Sequence, residues 1–267
     1  MGYWQDKVVL VTGGSAGLGR AIAAGFAAAG AKLVLAALGT PELPASVSQL
    51  QAVGGEVLGV PTDITQQDQV DALFAQALAR FGRLDVLVNC AGRSARGEVL
   101  ATRPEDFQKL LDLNFFALVR CTLAAAPHLI AAKGHVINIG SLAAKIASRY
   151  LGAYPVSKFP VAAYSQQLRH ELNPQGVHVL LVCPGPLARQ DAGQRYDAQA
   201  AGLPEAARRP GGGVKLKGIP PERLVAKILR YSELRKPELV MPARARLLFA
   251  ISQLSPSLGD WIIGRMT

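Results

Sequence analysis

The chain has 267 residues, half of them apolar and 18% charged, a composition that excludes disorder and suits one α/β domain with a sizeable core. Its formal net charge of +10 raises the question of nucleic acid, and eleven basic residues against four acids crowd the stretch from Glu205 to Arg246. No zinc-finger, helix-turn-helix or RNA-binding aromatic signature accompanies that charge, so a solvated basic face and no nucleic-acid partner are expected.

The start, MGYWQDKVVLVTGG, has neither the basic nor the apolar region of a secretory signal, and Asp6 stands where a myristoylation signal needs Ser or Thr. No apolar stretch reads as long enough to span a bilayer, and the expected setting is cytoplasmic. From there, apolar and β-branched runs recur. KVVLVT (7–12), KLVLAA (32–37), EVLGVP (56–61), LDVLVN (84–89), GHVINIG (134–140), VHVLLVC (177–183) and ELVMP (238–242) predict seven buried strands. Between them LGRAIAAGFAAAG, TQQDQVDALFAQALARFG, the run from Arg103 to Gly134 and the run after Tyr150 carry apolar residues at threes and fours, as helices do. Gly30 and Gly82 follow helical runs, where a stop signal belongs. The segment LGTPELPASVSQLQAVGG reads as a poor helix, with Pro41 and Pro44 near its start.

Alternating strands and helices require crossover connections. They predict a three-layer, doubly wound parallel sheet of Rossmann type, with ligands at the carboxyl ends of the strands. Residues 1–242 would form this catalytic domain, and 243–267 a helical extension of it. Residues 184–220 show no clear period, and a loop of that length in a compact domain is usually functional. Cys90, Cys121 and Cys183 lie far apart in apolar runs, and His128, His135, His170 and His178 show no ligand spacing, so neither a disulfide framework nor a metal is expected.

Two motifs carry chemistry. TGGSAGLGR places Gly13, Gly17 and Gly19 at a turn from strand to alanine-rich helix, where backbone can approach a pyrophosphate and free N–H groups can bind it. In SRYLGAYPVSKFPVAAYSQQL, Tyr154 precedes Lys158 by four residues, one helical turn, so phenol and ammonium share a face.

The Thr12-Gly13-x-x-x-Gly17-x-Gly19 turn resembles the cofactor loop of the short-chain dehydrogenase/reductase family, single-domain branch. More of that pattern follows in order over about residues 5–242: Asp63 in PTDIT, NCAG from Asn89 to Gly92 with Cys90 in place of an Asn, Asn114 in LDLNFFAL, Ser141 in INIGSLA, Tyr154 with Lys158, and Pro184-Gly185 in VCPGPLA. The resemblance implies an oxidoreductase with Asn114, Ser141, Tyr154 and Lys158 as catalytic residues. It implies a nicotinamide cofactor on Gly13, Ser15, Gly17, Leu18, Gly19, Leu38, Asp63, Ile64, Asn89, Ala91, Gly92, Tyr154, Lys158, Pro184 and Gly185. The substrate would be a small carbonyl compound or secondary alcohol, and the protein a homo-oligomer. The alternative on the same fold is a non-catalytic nucleotide-binding or membrane-surface protein.

The chemistry gives each residue a reason. A ketone reduced by hydride needs a proton on oxygen, and a tyrosine near its usual pKa of about 10 is a poor acid-base at neutral pH. Lys158 is expected to pull that pKa down, and by resemblance to hold the nicotinamide ribose. Ser141 would donate to the substrate oxygen as charge develops there. Asn114 would hold a water that links Lys158 to solvent, an implication of the resemblance alone.

This chain departs from the family pattern at three places. Pro160 is expected to bend the helix that carries Lys158. The second strand ends in LVLAALGT, with Ala37 and Leu38 where an acid would select NAD, so NADP is favoured and NAD stays open. Arg189 stands where a threonine often contacts the carboxamide.

Leu142, Ala143, Ile146, Leu151, Pro186 and Leu187 suggest an apolar pocket, while Arg93, Arg96 and Arg149 either meet an anion there or face solvent, the solvated surface being favoured. In the tail, Leu247, Leu248, Ile251 and Leu254, then Leu258, Trp261, Ile262 and Ile263, fit two short helices broken by Pro256. Their apolar faces would pack over the substrate side or a second subunit, or reach a membrane surface beside Arg244 and Arg246.

Overall fold

The computed structural model describes residues 2–188, 196–214 and 216–266. Seven parallel strands run in the order β3-β2-β1-β4-β5-β6-β7: β1 (Val8–Thr12), β2 (Lys32–Ala37), β3 (Val57–Pro61), β4 (Val86–Asn89), β5 (His135–Ile139), β6 (His178–Pro184) and β7 (Glu238–Met241). The chain winds one way from β1 to β3 and the other way from β4 to β7, so the switch point lies between β1 and β4. There the register sets Thr12 beside Asn89, and Asn89 beside Asn138 of β5.

Side chains alternate across each strand and bury both faces of the sheet. Val9 and Val11 of β1 pack with Ile22 and Phe26 of α1 (Gly17–Ala28) and with Leu224 and Ile228 of α7 (Pro221–Glu233). Val8 and Leu10 face the other layer, where Leu73 and Phe74 of α3 (Gln67–Phe81) meet Cys121 and Leu129 of α5 (Ala117–Ala132). The seven strands fall where the apolar runs placed them.

The helices bring corrections. The segment that read as a poor helix is α2 (Glu42–Ala52), with Leu43, Ser46 and Leu50 buried on one face. Pro41 caps it and Pro44 lies in its first turn, where no intrahelical N–H bond is lost and the fixed φ is already helical. Pro160 does not end its helix: α6 runs as Tyr154–Leu172 with Pro160 inside it. The run from Arg103 to Gly134 holds α4 (Pro104–Leu111), a π-helical turn at Asp112–Phe116, and α5. These merge into a 29-residue helical stretch, Pro104–Ala132, within which an 18-residue window of mean hydropathy 1.6 is long and apolar enough to cross a membrane by length and composition. That corrects the expectation of no such stretch. In the fold α5 packs on α3, β4 and β5. After β7 the chain forms α8 (Ala245–Leu254) and α9 (Pro256–Met266).

Candidate active site

The glycine turn forms at the carboxyl end of β1. Gly13 takes φ +68°, and a Cβ there would lie 2.9 Å from Ala91 Cα; one on Gly19 would strike the Gly13 carbonyl oxygen. Only glycine allows this approach of helix, turn and the loop after β4. Thr12 ties the two loops together, its Oγ1 accepting from Cys90 N at 3.0 Å and Ala91 N at 3.2 Å. Helix α1 begins at Gly17 with no side-chain cap, so its first N–H groups and the dipole end at the switch point. This cradle, which any Cβ would fill, fits a dinucleotide.

Other residues expected at the cofactor end the neighbouring strands. Leu38 follows β2 and is exposed. Asp63 follows β3, accepting from Thr65 N at 3.0 Å and Thr65 Oγ1 at 2.7 Å, with Ile64 buried beside it. Asn89 is turned into the core, its Nδ2 donating to Thr122 Oγ1 at 3.1 Å and Asn138 Oδ1 at 2.9 Å. It fixes the loop that presents Ala91 and Gly92. Gly185 N donates to Met241 O at 2.7 Å, which pins the turn after β6 to β7. Arg189 lies outside the described residues.

The π-helical turn carries Asn114. An extra residue in the turn rotates its side chain out of the α-helical register. Asn114 Oδ1 accepts from Arg93 N at 2.8 Å, while Nδ2 donates to Arg93 O at 2.9 Å and Ser157 Oγ at 2.8 Å. The amide is thus clamped between the loop after β4 and the first turn of α6.

Tyr154 opens α6 and Lys158 follows one turn later. Lys158 is buried, and its Nζ donates to Ile139 O at 2.9 Å. Burial pushes its pKa down to about 8. Ser141, two residues past β5, accepts from Ala143 N at 3.1 Å and hydrogen-bonds the Tyr154 phenol. Burial raises the Tyr154 pKa; the Ser141 hydrogen bond and then the Arg96 charge oppose that rise. The sequence-based expectation that Lys158 pulls this pKa below its usual value is therefore corrected. Taking the phenol out of water outweighs the charges around it.

Ser141, Tyr154 and Lys158 share the wall of a cavity of about 700 Å³ with Leu18, Gly92, Pro184 and Gly185. Leu142, Ala143, Ile146, Leu151, Pro186 and Leu187 line it as expected, and Leu248, Ile251, Ile262 and Ile263 of α8 and α9 close it. Arg93 and Arg149 are exposed, as sequence reasoning has them, and Arg93 also lines the cavity. Arg96 is not: it is 7% exposed and lines the cavity. Its guanidinium donates to Ser94 Oγ, to Ala95 O, to Ala207 O at 2.8 Å and to Arg209 O at 3.3 Å. Backbone carbonyls more than a hundred residues away leave no mark in a sequence, so the burial of Arg96 had no signal there.

Fold and cradle together define a dinucleotide-binding α/β protein. Comparison with known proteins narrows the class. A family model for short chain dehydrogenase matches residues 7–200, and the chain belongs to that family of NAD(P)-dependent oxidoreductases. It is 28% identical to a Dehydrogenase/reductase SDR family protein 7-like of Drosophila melanogaster over 97% of this chain and 80% of that protein. It is 36% identical to the 3-oxoacyl-[acyl-carrier-protein] reductase of Synechocystis over 68% of this chain and 74% of that one. Among solved structures, a short chain dehydrogenase/reductase from Burkholderia phymatum in complex with NAD superposes with a TM-score of 0.82 at 26% identity, covering 95% of this chain and 96% of that one.

Proposed function

We propose that this protein passes hydride between NADPH and a ketone or secondary alcohol with a large apolar substituent. The observation that carries the reading is the cavity: Ser141, Tyr154 and Lys158 meet at one wall, and most of the remaining wall is hydrocarbon. The Synechocystis relative is named for reducing a 3-oxoacyl group, which is a ketone on an aliphatic chain.

The cofactor, when bound, supplies or accepts the hydride. Gly13, Ser15, Gly17, Leu18 and Gly19 would hold its pyrophosphate side, Leu38, Asp63 and Ile64 its adenosine side, and Ala91, Gly92, Pro184 and Gly185 would frame the reacting ring, with Asn89 fixing their loop from the core. Tyr154 gives its phenolic proton to the substrate oxygen as charge develops there, and takes it back in the reverse direction. Ser141 Oγ donates a second hydrogen bond to the same oxygen. Lys158 steadies the phenolate left behind, and its charge matters more then than in the resting site, where the phenol is neutral. Asn114 keeps the Lys158 side of the site in register through Ser157 and Arg93. A non-catalytic binding protein has no use for a buried Lys158 and a phenol paired with a serine.

NADPH is favoured because Ala37 and Leu38 offer no carboxylate against a 2′-phosphate. A homo-oligomer fits the exposed Phe116 and Leu123 on the long helix and Val156 and Phe159 on α6. A cytoplasmic setting fits three free cysteines.

The experiment is a turnover assay with NADPH and ketones of graded aliphatic length. Rates that rise with chain length are expected. No NADPH consumption with any ketone, together with no NADPH formation from NADP+ with any alcohol, overturns the reading.

A further inference from the structure

Helices α8 and α9 fold back on each other at Ser255, packed so closely that a Cβ on Gly259 would lie 2.7 Å from Ser252 Cα. The inner side of this hairpin closes the cavity, through Leu248, Ile251 and Ile262 among others. The outer side is apolar as well: Leu247, Leu254, Leu258 and Trp261 are 68%, 87%, 47% and 54% exposed. Leu247 and Leu254 lie two turns apart on one stripe of α8, and Leu258 and Trp261 lie one turn apart on α9. Leu247 also lines the cavity, so one leucine belongs to both the inner and the outer side.

The fold-back sorts charge from hydrocarbon. Arg244 and Arg246 stand at the start of α8 and Arg265 near the end of α9, so all three lie at the open end, while Leu254 and Leu258 form the closed tip. The Arg265 guanidinium lies over the Trp261 ring at 4.0 Å. Against these three arginines the described part of the hairpin carries one acid, Asp260.

We propose that the α8–α9 hairpin docks tip-first on an anionic lipid surface and that substrate enters the cavity from that surface. Seven residues separate Leu258 from Arg265, about 10 Å of helix, which matches the depth to which interfacial helices sink. Trp261 then lies at the headgroup level, where amphipathic rings collect, and the arginines reach the phosphates beside it. A second copy meeting the same patch would bring one acid to three arginines, whereas an anionic leaflet matches all three. The docking surface stands without the enzymatic reading; the delivery of substrate rests on it.

The test is flotation of the full chain with vesicles of phosphatidylcholine alone and with phosphatidylserine added. Binding to the anionic vesicles is expected, weakened by salt. It falls roughly tenfold or more in Leu254→Asp/Leu258→Asp and in Arg246→Glu/Arg265→Glu. Neither leucine lines the cavity, so the NADPH-induced rise in melting temperature reports whether the first variant is folded and is expected to survive. No binding by the parent chain overturns the proposal, as does equal binding by both variants. A dimer lost in the leucine variant, with no vesicle binding in either form, gives the face to a second copy and also overturns it. Vesicle binding without turnover of any ketone upholds the docking surface and overturns the delivery step with the carbonyl reading.

Discussion

Arg96 lies against Tyr196, its guanidinium carbon 3.7 Å from the ring centroid, while the same group donates to the carbonyls of Ala207 and Arg209. One buried cation thus fastens the segment after β6 over the cavity, and its charge also opposes the raised pKa of Tyr154. Arg96→Met is expected to take the donor from the Ala207 carbonyl at a cost of about 2 kcal/mol, lowering Tm by several degrees, while Gly212 N still serves Arg209 O. KM should rise more than kcat falls, and the alkaline limb set by Tyr154 should move to higher pH. A variant with parent KM and an unshifted profile shows the segment to be held by other contacts.

Removing the Tyr154 hydroxyl tests the proton path. Tyr154→Phe should keep cofactor affinity near the parent value and lower turnover roughly 10²-fold or more. Lys158 carries its proton only below about pH 8, because burial disfavours the ammonium. Its part in cofactor binding should therefore fade as pH rises through that value. Lys158→Arg, always charged, should remove this pH dependence whether or not it restores the rate. Titrating cofactor affinity from pH 6 to 10 in the parent chain and in Lys158→Arg decides; an unchanged profile in Lys158→Arg assigns the titration elsewhere.

Much of this arrangement was legible beforehand because parallel strands are buried on both faces and read as plain apolar runs, as KVVLVT and VHVLLVC do. The ordered motifs likewise placed Ser141, Tyr154 and Lys158 at one wall. What escaped depends on tertiary context. Pro41 and Pro44 looked like breakers, yet the first turn of a helix tolerates them. The π-helical turn that aims Asn114 has no residue signature, and its grip on Arg93 is to backbone atoms 21 positions away. The sign of the Tyr154 shift was missed because burial, not sequence distance to Lys158, decides it.

The cofactor cradle predicts its own failure. Gly13→Ala puts a methyl group 2.9 Å from Ala91 Cα on a backbone at φ +68°, so the turn must shift. The rise in melting temperature on adding NADPH should disappear in this variant. In the parent chain NADPH should act at lower concentration than NADH. Tighter binding of NADH would show that the end of β2 does not govern the choice.

Truncation separates the cavity roof from the cradle. Residues 243–267 supply Leu248, Ile251, Ile262 and Ile263 to the cavity, and among the described residues none of this segment lies against Gly13, Gly14 or Gly19. A chain ending at Pro242 should still melt at higher temperature with NADPH, yet turn over apolar ketones far more slowly, with KM raised most for the longest. Unchanged kinetics would remove the roof from any role in substrate binding.

The last prediction concerns acid stability. His178 Nε2 lies 2.8 Å from Lys236 O, which can only accept, so that nitrogen carries the proton. His178 Nδ1 must then accept from His135 Nδ1 at 3.1 Å, which leaves His135 Nε2 to accept from the Tyr3 hydroxyl at 2.9 Å. With both rings neutral every donor in this chain of bonds meets an acceptor. Burial first, then the neighbouring positive charges, depress His135 to about 3 and His178 to about 4. Both folded values lie below the unfolded value of about 6.5, so the unfolded chain binds protons first. Their contribution to stability is whole above that pH and is lost as pH falls toward 4. By pH 5 each ring costs about 2 kcal/mol, a loss that urea midpoints at pH 7.5 and 5 would register. His135→Gln/His178→Gln, which cannot titrate there, should flatten the difference; an undiminished fall in that variant would place the acid sensitivity in other groups.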